Sequence, residues 1–188
     1  MESLSRAWFG RTTNAVPMPF GQWPRLKNYV RQPDVRPSRK FSPGATKAAD
    51  SVPFVLDASV VGCWCFQDEN DVRADAAWDL LEHDRESALV PLHWWFEIRN
   101  VALHGERRGR LTEDYISSFF PILTRFSINY APLPEHAAVL TLARRHRLSF
   151  YDAVYLELAK REELALATLD NELIKAATLE GVRLIGVG

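Results

Sequence analysis

The chain has 188 residues, 47% hydrophobic and 25% charged, with a formal net charge of −1; this fits a globular, soluble protein of one domain with a sizeable core and room for an appendage. No apolar run approaches the roughly 20 residues that span a bilayer, and the N-terminus lacks the apolar stretch of a secretory signal. Two cysteines cannot make a disulfide framework, so a reducing, cytoplasmic setting is expected.

The average charge hides a split. Residues 1–50 hold nine Lys and Arg against three Asp and Glu, a balance of +6, and six of the eleven prolines; residues 51–188 carry −7. The first segment shows neither helical nor strand periodicity and reads as an unstructured basic arm. An organelle-targeting segment, an RNA-binding tail and a start-site artefact all fit it, the last being slightly favoured. Residues 51–188 read as the folded domain.

Within the domain, the short apolar run FVLDAS predicts a buried strand, and VRADAAWDLLEHD (72–84) has helical spacing. SALVP is a second strand closed by Pro91. LHWWFEIRNVALHGE (92–106) predicts a helix with Leu92, Trp95, Ile98 and Ala102 as its core stripe, loosened at its end by Gly105 and Gly109. Residues 111–126 predict a helix capped at Thr112 and kinked or divided by Pro121. A strand near 128–131, helices over 135–146 and 149–163, the strand ALATLD (165–170), a helix stopped by Gly181 and a last strand VRLIGVG complete the pattern. Strands alternating with helices of this length predict an α/β fold with a mostly parallel sheet covered on both faces. Sites in such sheets gather outside the carboxyl ends of the strands.

That rule singles out Asp57 and Asp170, each directly behind an apolar strand. Taken alone, either is as well explained as a helix N-cap, worth about 1 kcal/mol. Glu97 lies among Trp94, Trp95, Phe96 and Ile98, where a buried carboxylate is costly unless paired or metal-bound, although a solvent edge would also suit it. Asn100 follows at i+3 on the same face. Asp152, three residues after Ser149, fits a capping-box variant and a first-turn dipole role. As a set, four carboxylates repel and raise one another's pKa unless a cation neutralises them. All-oxygen donors favour Mg²⁺ or Mn²⁺, which suits phosphodiester hydrolysis by metal-activated water.

The stretches FVLDAS, PLHWWFEIRNVALHGERRGRL, SFYDAVYLELAKR and LALATLDNEL resemble, in order and spacing, the blocks of PIN-domain ribonucleases, specifically the VapC-type toxins. The resemblance covers about 52–188 and leaves out the arm. It implies a three-layer α/β/α sandwich, Mg²⁺- or Mn²⁺-dependent endonucleolytic cleavage of RNA, a cognate antitoxin protein and a homodimer. Carried over by position, the acidic cluster is Asp57, Glu97, Asp152 and Asp170. Ser59, Asn100, Thr168 and Asn171 are expected to support it. A non-catalytic RNA- or protein-binding module, and a nuclease of ordinary RNA processing, remain as alternatives.

Other features weigh less. Cys63 and Cys65, two apart, point to nearly opposite faces of a helix and have no partners for a zinc site, so they read as packing residues. His93, His104, His136 and His146 are scattered and read as ordinary surface or core residues. Arg107, Arg108 and Arg110, and Arg144, Arg145 and Arg147, end helices and suit the helix dipole or RNA phosphates. The tryptophans and Phe66 are mostly core, with exposed members available to a dimer or an antitoxin helix.

Overall fold

The computed structural model describes residues 53–83 and 86–187; the expected arm, residues 1–50, lies outside them. Four parallel strands form one sheet in the order β3-β2-β1-β4: β1 (Phe54–Leu56), β2 (Ala88–Val90), β3 (Ile128–Tyr130) and β4 (Ala165–Ala167). Each connection carries two helices. These are α1 (Ala58–Cys65) and α2 (Val72–Glu82), then α3 (Trp94–Arg107) and α4 (Glu113–Leu123), then α5 (His136–His146) and α6 (Phe150–Arg161); α7 (Asn171–Leu179) follows β4. The result is the expected α/β/α arrangement.

Burial follows strand order. β1 and β4 are wholly buried and β3, at the edge, is largely exposed. Val, Leu, Phe and Ala fill the inner strands because α6 covers β1 and β4 from one side while α2 packs against β4. All eight residues of α1 are buried, the two cysteines included, and burial pushes the Cys65 thiol up to about 12. That leaves Cys65 an inert packing group, as its spacing suggested. Trp64, Trp78 and Phe126 meet edge to face at centroid distances of 5.0–6.3 Å and join α1 and α2 to the segment before β3.

Four expectations need correction. The inward line of α3 is Trp94, Ile98 and Ala102, whereas Leu92 and Trp95 are exposed. The helix starts at Trp94 behind His93, so the core line begins one residue earlier than the adjacent tryptophans suggested. Pro121 does not divide α4, which runs unbroken from Glu113 to Leu123 with the proline in its last turn. The last strand is reduced to a single parallel bridge, Leu166 to Leu184, flanked by Gly181 and Gly186, both at φ +72°. Gly105 does not loosen α3. It is a buried helical residue whose missing Cβ lets Phe66 and Leu111 close in.

At the far ends of three helices, Glu180, the C-cap residue of α7, accepts from Arg145 and His146 of α5 and Lys160 of α6. These partners, Lys160 foremost, hold its carboxyl down at about 2. Among the described residues no helix is long and apolar enough to cross a membrane.

Two outcomes follow. A Cβ at Gly105 would stand 2.6 Å from Phe66 Cε1 and 2.7 Å from Leu111 Cδ1. Gly105→Ala gains about 1 kcal/mol of helix propensity and loses roughly 1–3 kcal/mol to overpacking, so thermal unfolding should show a net loss. For Glu180 the folded pKa lies below the ordinary value, so its stabilisation is present above about pH 4.5 and is lost as pH falls through about 2. The stability gap between the native chain and Glu180→Gln, measured by denaturant titration, should therefore shrink from pH 5 to pH 2.

Candidate nuclease site

Strand order locates the site. The chain runs outward from β1 through β2 to β3 and then returns to β4 on the other side of β1. The crevice between the carboxyl ends of β1 and β4 is therefore the switch point of the sheet. Asp57 directly follows β1, and Asp170 lies three residues behind Ala167, the last residue of β4.

The two acids behave differently. Asp170 is a true N-cap, accepting from Leu173 N at 2.8 Å. Asp57 occupies the N-cap position of α1 but makes no capping bond. Its side chain is turned instead toward two hydroxyls, accepting at Oδ2 from Ser59 Oγ and from Thr168 Oγ1, the latter at 2.6 Å. Ser59 Oγ also accepts from Leu169 N at 2.9 Å and Thr168 Oγ1 from Asp170 N at 3.1 Å. Each hydroxyl therefore takes a backbone proton from the β4–α7 turn and gives its own to Asp57. A further bond, Asp57 N to Ala167 O at 3.0 Å, locks the two strand ends together.

Glu97 comes from the first turn of α3, and its Oε2 accepts from Tyr155 of α6 at 2.5 Å. Asp152, in the first turn of α6, shares its carboxylate with Ser149: Ser149 Oγ donates to Oδ2 at 2.6 Å and accepts from Asp152 N at 3.1 Å. This reciprocal pair is the cap that the spacing of Ser149 and Asp152 suggested.

Of the expected supporting residues, Ser59 and Thr168 contact Asp57, while Asn100 and Asn171 are exposed and make no side-chain hydrogen bond among the described residues. Arg110 is committed to Asp68 at 2.7 Å and Glu69 at 2.8 Å, with its guanidinium 3.9 Å above the Phe66 ring. Arg145 pairs with Glu180, and Arg107, Arg108, Arg144 and Arg147 are exposed. Two neighbours of the site escaped the reading of the sequence. Tyr155 is not singled out by the sequence pattern, and His93 reads there as an ordinary surface or core histidine. His93 packs between Tyr151 and Tyr155, with ring centroids 5.4 and 5.0 Å away, and its Nε2 is 3.6 Å from Glu97. Burial pulls its pKa to about 4, so it is neutral near pH 7 and the approach is not an ion pair. His93 sits four residues before Glu97, a helical spacing that would have placed the two together.

The PIN domain family model matches residues 54–179, which span β1 to the end of α7. The chain belongs to the PIN-domain family. The crystal structure of PAE2754 from Pyrobaculum aerophilum is similar, with a TM-score of 0.54 and 25% identity over 71% of this chain and 91% of that one. VapC20 of Mycobacterium tuberculosis, a sarcin-ricin loop cleaving toxin, aligns with a TM-score of 0.45 and 13% identity over 65% of this chain and 94% of its own. Comparison with curated proteins finds no match. Members of the PIN family are nucleases.

The candidate site is electrostatically strained. Burial, with Asp152 and Asp170 adding to it, pushes Asp57 up to about 6 against the pull of its two hydroxyls. Burial and the nearby Asp57 and Asp152 push Glu97 up to about 8, against Tyr155. Asp152 is raised by burial and by Asp170, against Ser149. The four carboxylates thus share one field. They do not form a ready cage: among the described residues no group of three or more His, Cys, Asp or Glu side chains is arranged to hold a metal ion. The expectation of an assembled four-carboxylate cluster is corrected in that respect. Like charges stay apart, each held by its own donor. By its chemistry the donor set fits a hard divalent cation: it is all oxygen, and Asp57, Glu97 and Asp152 are held above their ordinary pKa by burial and repulsion, which such a cation relieves.

The sign of the linkage follows. A carboxyl whose folded pKa is raised stabilises the fold below its unfolded value, and that contribution is lost as pH rises through the folded value. In chelator-treated protein the melting temperature should fall between about pH 4 and pH 8 through Asp57 and Glu97. Asp57→Asn should flatten the part of this fall near pH 6, and Glu97→Gln the part near pH 8.

Proposed function

We propose that the chain is a Mg²⁺- or Mn²⁺-dependent endoribonuclease acting as the toxin of a toxin–antitoxin pair. The observation that carries this reading is Asp57: a carboxylate buried at the end of the central strand, free of any capping duty, in one field with Glu97, Asp152 and Asp170. Asp57, Glu97 and Asp152 would hold the cation, and Asp170 would complete the set or hold an ordered water. A bound cation supplies charge neutralisation and water activation for in-line attack on a phosphodiester, without a role for the 2′-hydroxyl as nucleophile. Ser59 and Thr168 fix the rotamer of Asp57, Tyr155 fixes Glu97, and Ser149 fixes Asp152. Exposed Arg107, Arg108, Arg144, Arg145 and Arg147 supply local positive charge to a domain whose overall field repels RNA.

The partners are an RNA substrate, a cognate antitoxin and a second copy of the chain, in the cytoplasm. The outer face of α3 supports the protein contacts, since Trp95, Phe96 and Leu103 are exposed there beside Leu92. A second reading, a non-catalytic PIN-like module, draws on Asp170 and Asp152, both of which make capping bonds.

A cleavage assay on RNA with Mn²⁺ separates the two. Asp57→Asn and Asp152→Asn should each lower cleavage by about 100-fold or more and weaken Mn²⁺ binding in calorimetry. Undiminished cleavage in both variants would sink the nuclease reading. Phe96→Asp should lower the molecular mass seen by light scattering from that of a dimer to that of a monomer.

A further inference from the structure

The first turn of α6 carries more apolar surface than its packing uses. From Ala153 to Ala159 every residue of the helix is buried, whereas Phe150 and Tyr151, just ahead of Asp152, are exposed. The two rings pack against different helices. Phe150 leans toward His136 at the start of α5, with ring centroids 6.1 Å apart. Tyr151 turns to His93, the N-cap residue of α3, at a centroid distance of 5.4 Å, and stays 50% exposed. A single exposed aromatic is ordinary; what sets Tyr151 apart is its mounting and its neighbours.

The mounting is stiff. The His93 ring packs against both Tyr151 and Tyr155, and Tyr155 donates to Glu97. The backbone carbonyl of His93 accepts from Phe96 N at 2.9 Å and Glu97 N at 3.0 Å, which ties it to the first turn of α3. Tyr151 is thus braced by the same side chains that hold one acid of the site, and in sequence it abuts another, Asp152. A ring already ordered gives up little entropy when a flat partner lies on it. The surrounding chemistry narrows that partner. The folded domain carries −7 and its site is made of carboxylates, which repel a phosphate group but not an uncharged base. His93, neutral near pH 7, adds aromatic surface and no anion site. Stacking on such a ring strengthens binding by about tenfold or more per base.

We propose that Tyr151 is the stacking platform for the base beside the scissile phosphate, so that the site accepts a nucleotide already turned out of its own stack. The inference rests on the nuclease reading and adds to it a residue that selects substrate without touching the cation. An aromatic face accepts any base, so the selection is for an unpaired, unstacked nucleotide rather than for a sequence.

The test uses the full chain and short single-stranded RNAs that carry 2-aminopurine, whose fluorescence is quenched by stacking, at one position at a time. Affinity is read by anisotropy in chelator, so that binding is seen without cleavage. One position should be quenched by the native chain and by Tyr151→Phe and released in Tyr151→Ala, while Phe150→Ala behaves as the native chain does. Tyr151→Ala should bind the RNA about tenfold more weakly. An RNA lacking the base at that position should bind the native chain and Tyr151→Ala alike, an equality that a merely structural role of the tyrosine would not produce. The platform is overturned when no position is quenched, or when Tyr151→Ala weakens intact and abasic RNA equally. Unchanged RNA affinity with a lower mass in light scattering for Tyr151→Ala also overturns it and assigns the ring to a protein contact. Cleavage with Mn²⁺ is scored separately. RNA cleavage without any effect of Tyr151 leaves the nuclease standing and removes the platform. Tyr151-dependent quenching in a chain that cleaves no RNA upholds base stacking at Tyr151 and overturns the nuclease.

Discussion

A carboxylate at the end of the innermost strand governs this fold. β1 lies between β2 and β4 and is buried along its whole length, so Asp57 emerges where water scarcely reaches. The desolvation of such a charge is a matter of several kcal/mol, and packing alone cannot offset it. The surrounding structure answers with oriented protons. Ser59 and Thr168 each spend their single hydroxyl proton on Asp57, and their own lone pairs are satisfied by the turn after β4. The same atoms that tolerate the charge therefore also hold β1 and β4 in register at the switch point.

The second demand comes from the neighbours of Asp57. Glu97, Asp152 and Asp170 arrive from three further elements, and each is tied to its own donor: Tyr155, Ser149 and the first turn of α7. Without a cation, such an arrangement stores repulsion, visible in the raised pKa values of Asp57, Glu97 and Asp152. Strain of this kind clusters at functional sites, because the groups that ease it are the ones a ligand replaces. The rest of the domain compensates through an aromatic junction of Trp64, Trp78 and Phe126 and an ion-paired knot at Glu180.

Sequence pattern made some of this legible and not the rest. Apolar runs ending in Asp57 and Asp170 were readable because a strand–helix junction leaves a local signature, as was the cap at Ser149. Whether Asp57 was a cap or something else was not readable, since both need the same residue at the same place; only the direction of its side chain tells. Contacts far apart in sequence were equally hidden. Tyr155 reaches Glu97 across 58 positions, and nothing in FYDAVYLELA marks that tyrosine from its apolar neighbours. The core line of α3 was misplaced because two consecutive tryptophans offer two registers, and the last strand was overcalled because Gly186 reads as part of an extended run until its φ is known.

The seating of α3 has a consequence for tolerance to change. The helix is a stiff rod with Glu97 near its start and Gly105 eight residues, or about 12 Å, further on. At the glycine end the rod rests directly on Phe66 and Leu111, with no side chain between. The reach of Glu97 to Tyr155 is thus set partly by how closely the opposite end of the rod can sit. A chain can keep every acid of the site and still misplace one, through a residue that carries no functional group at all.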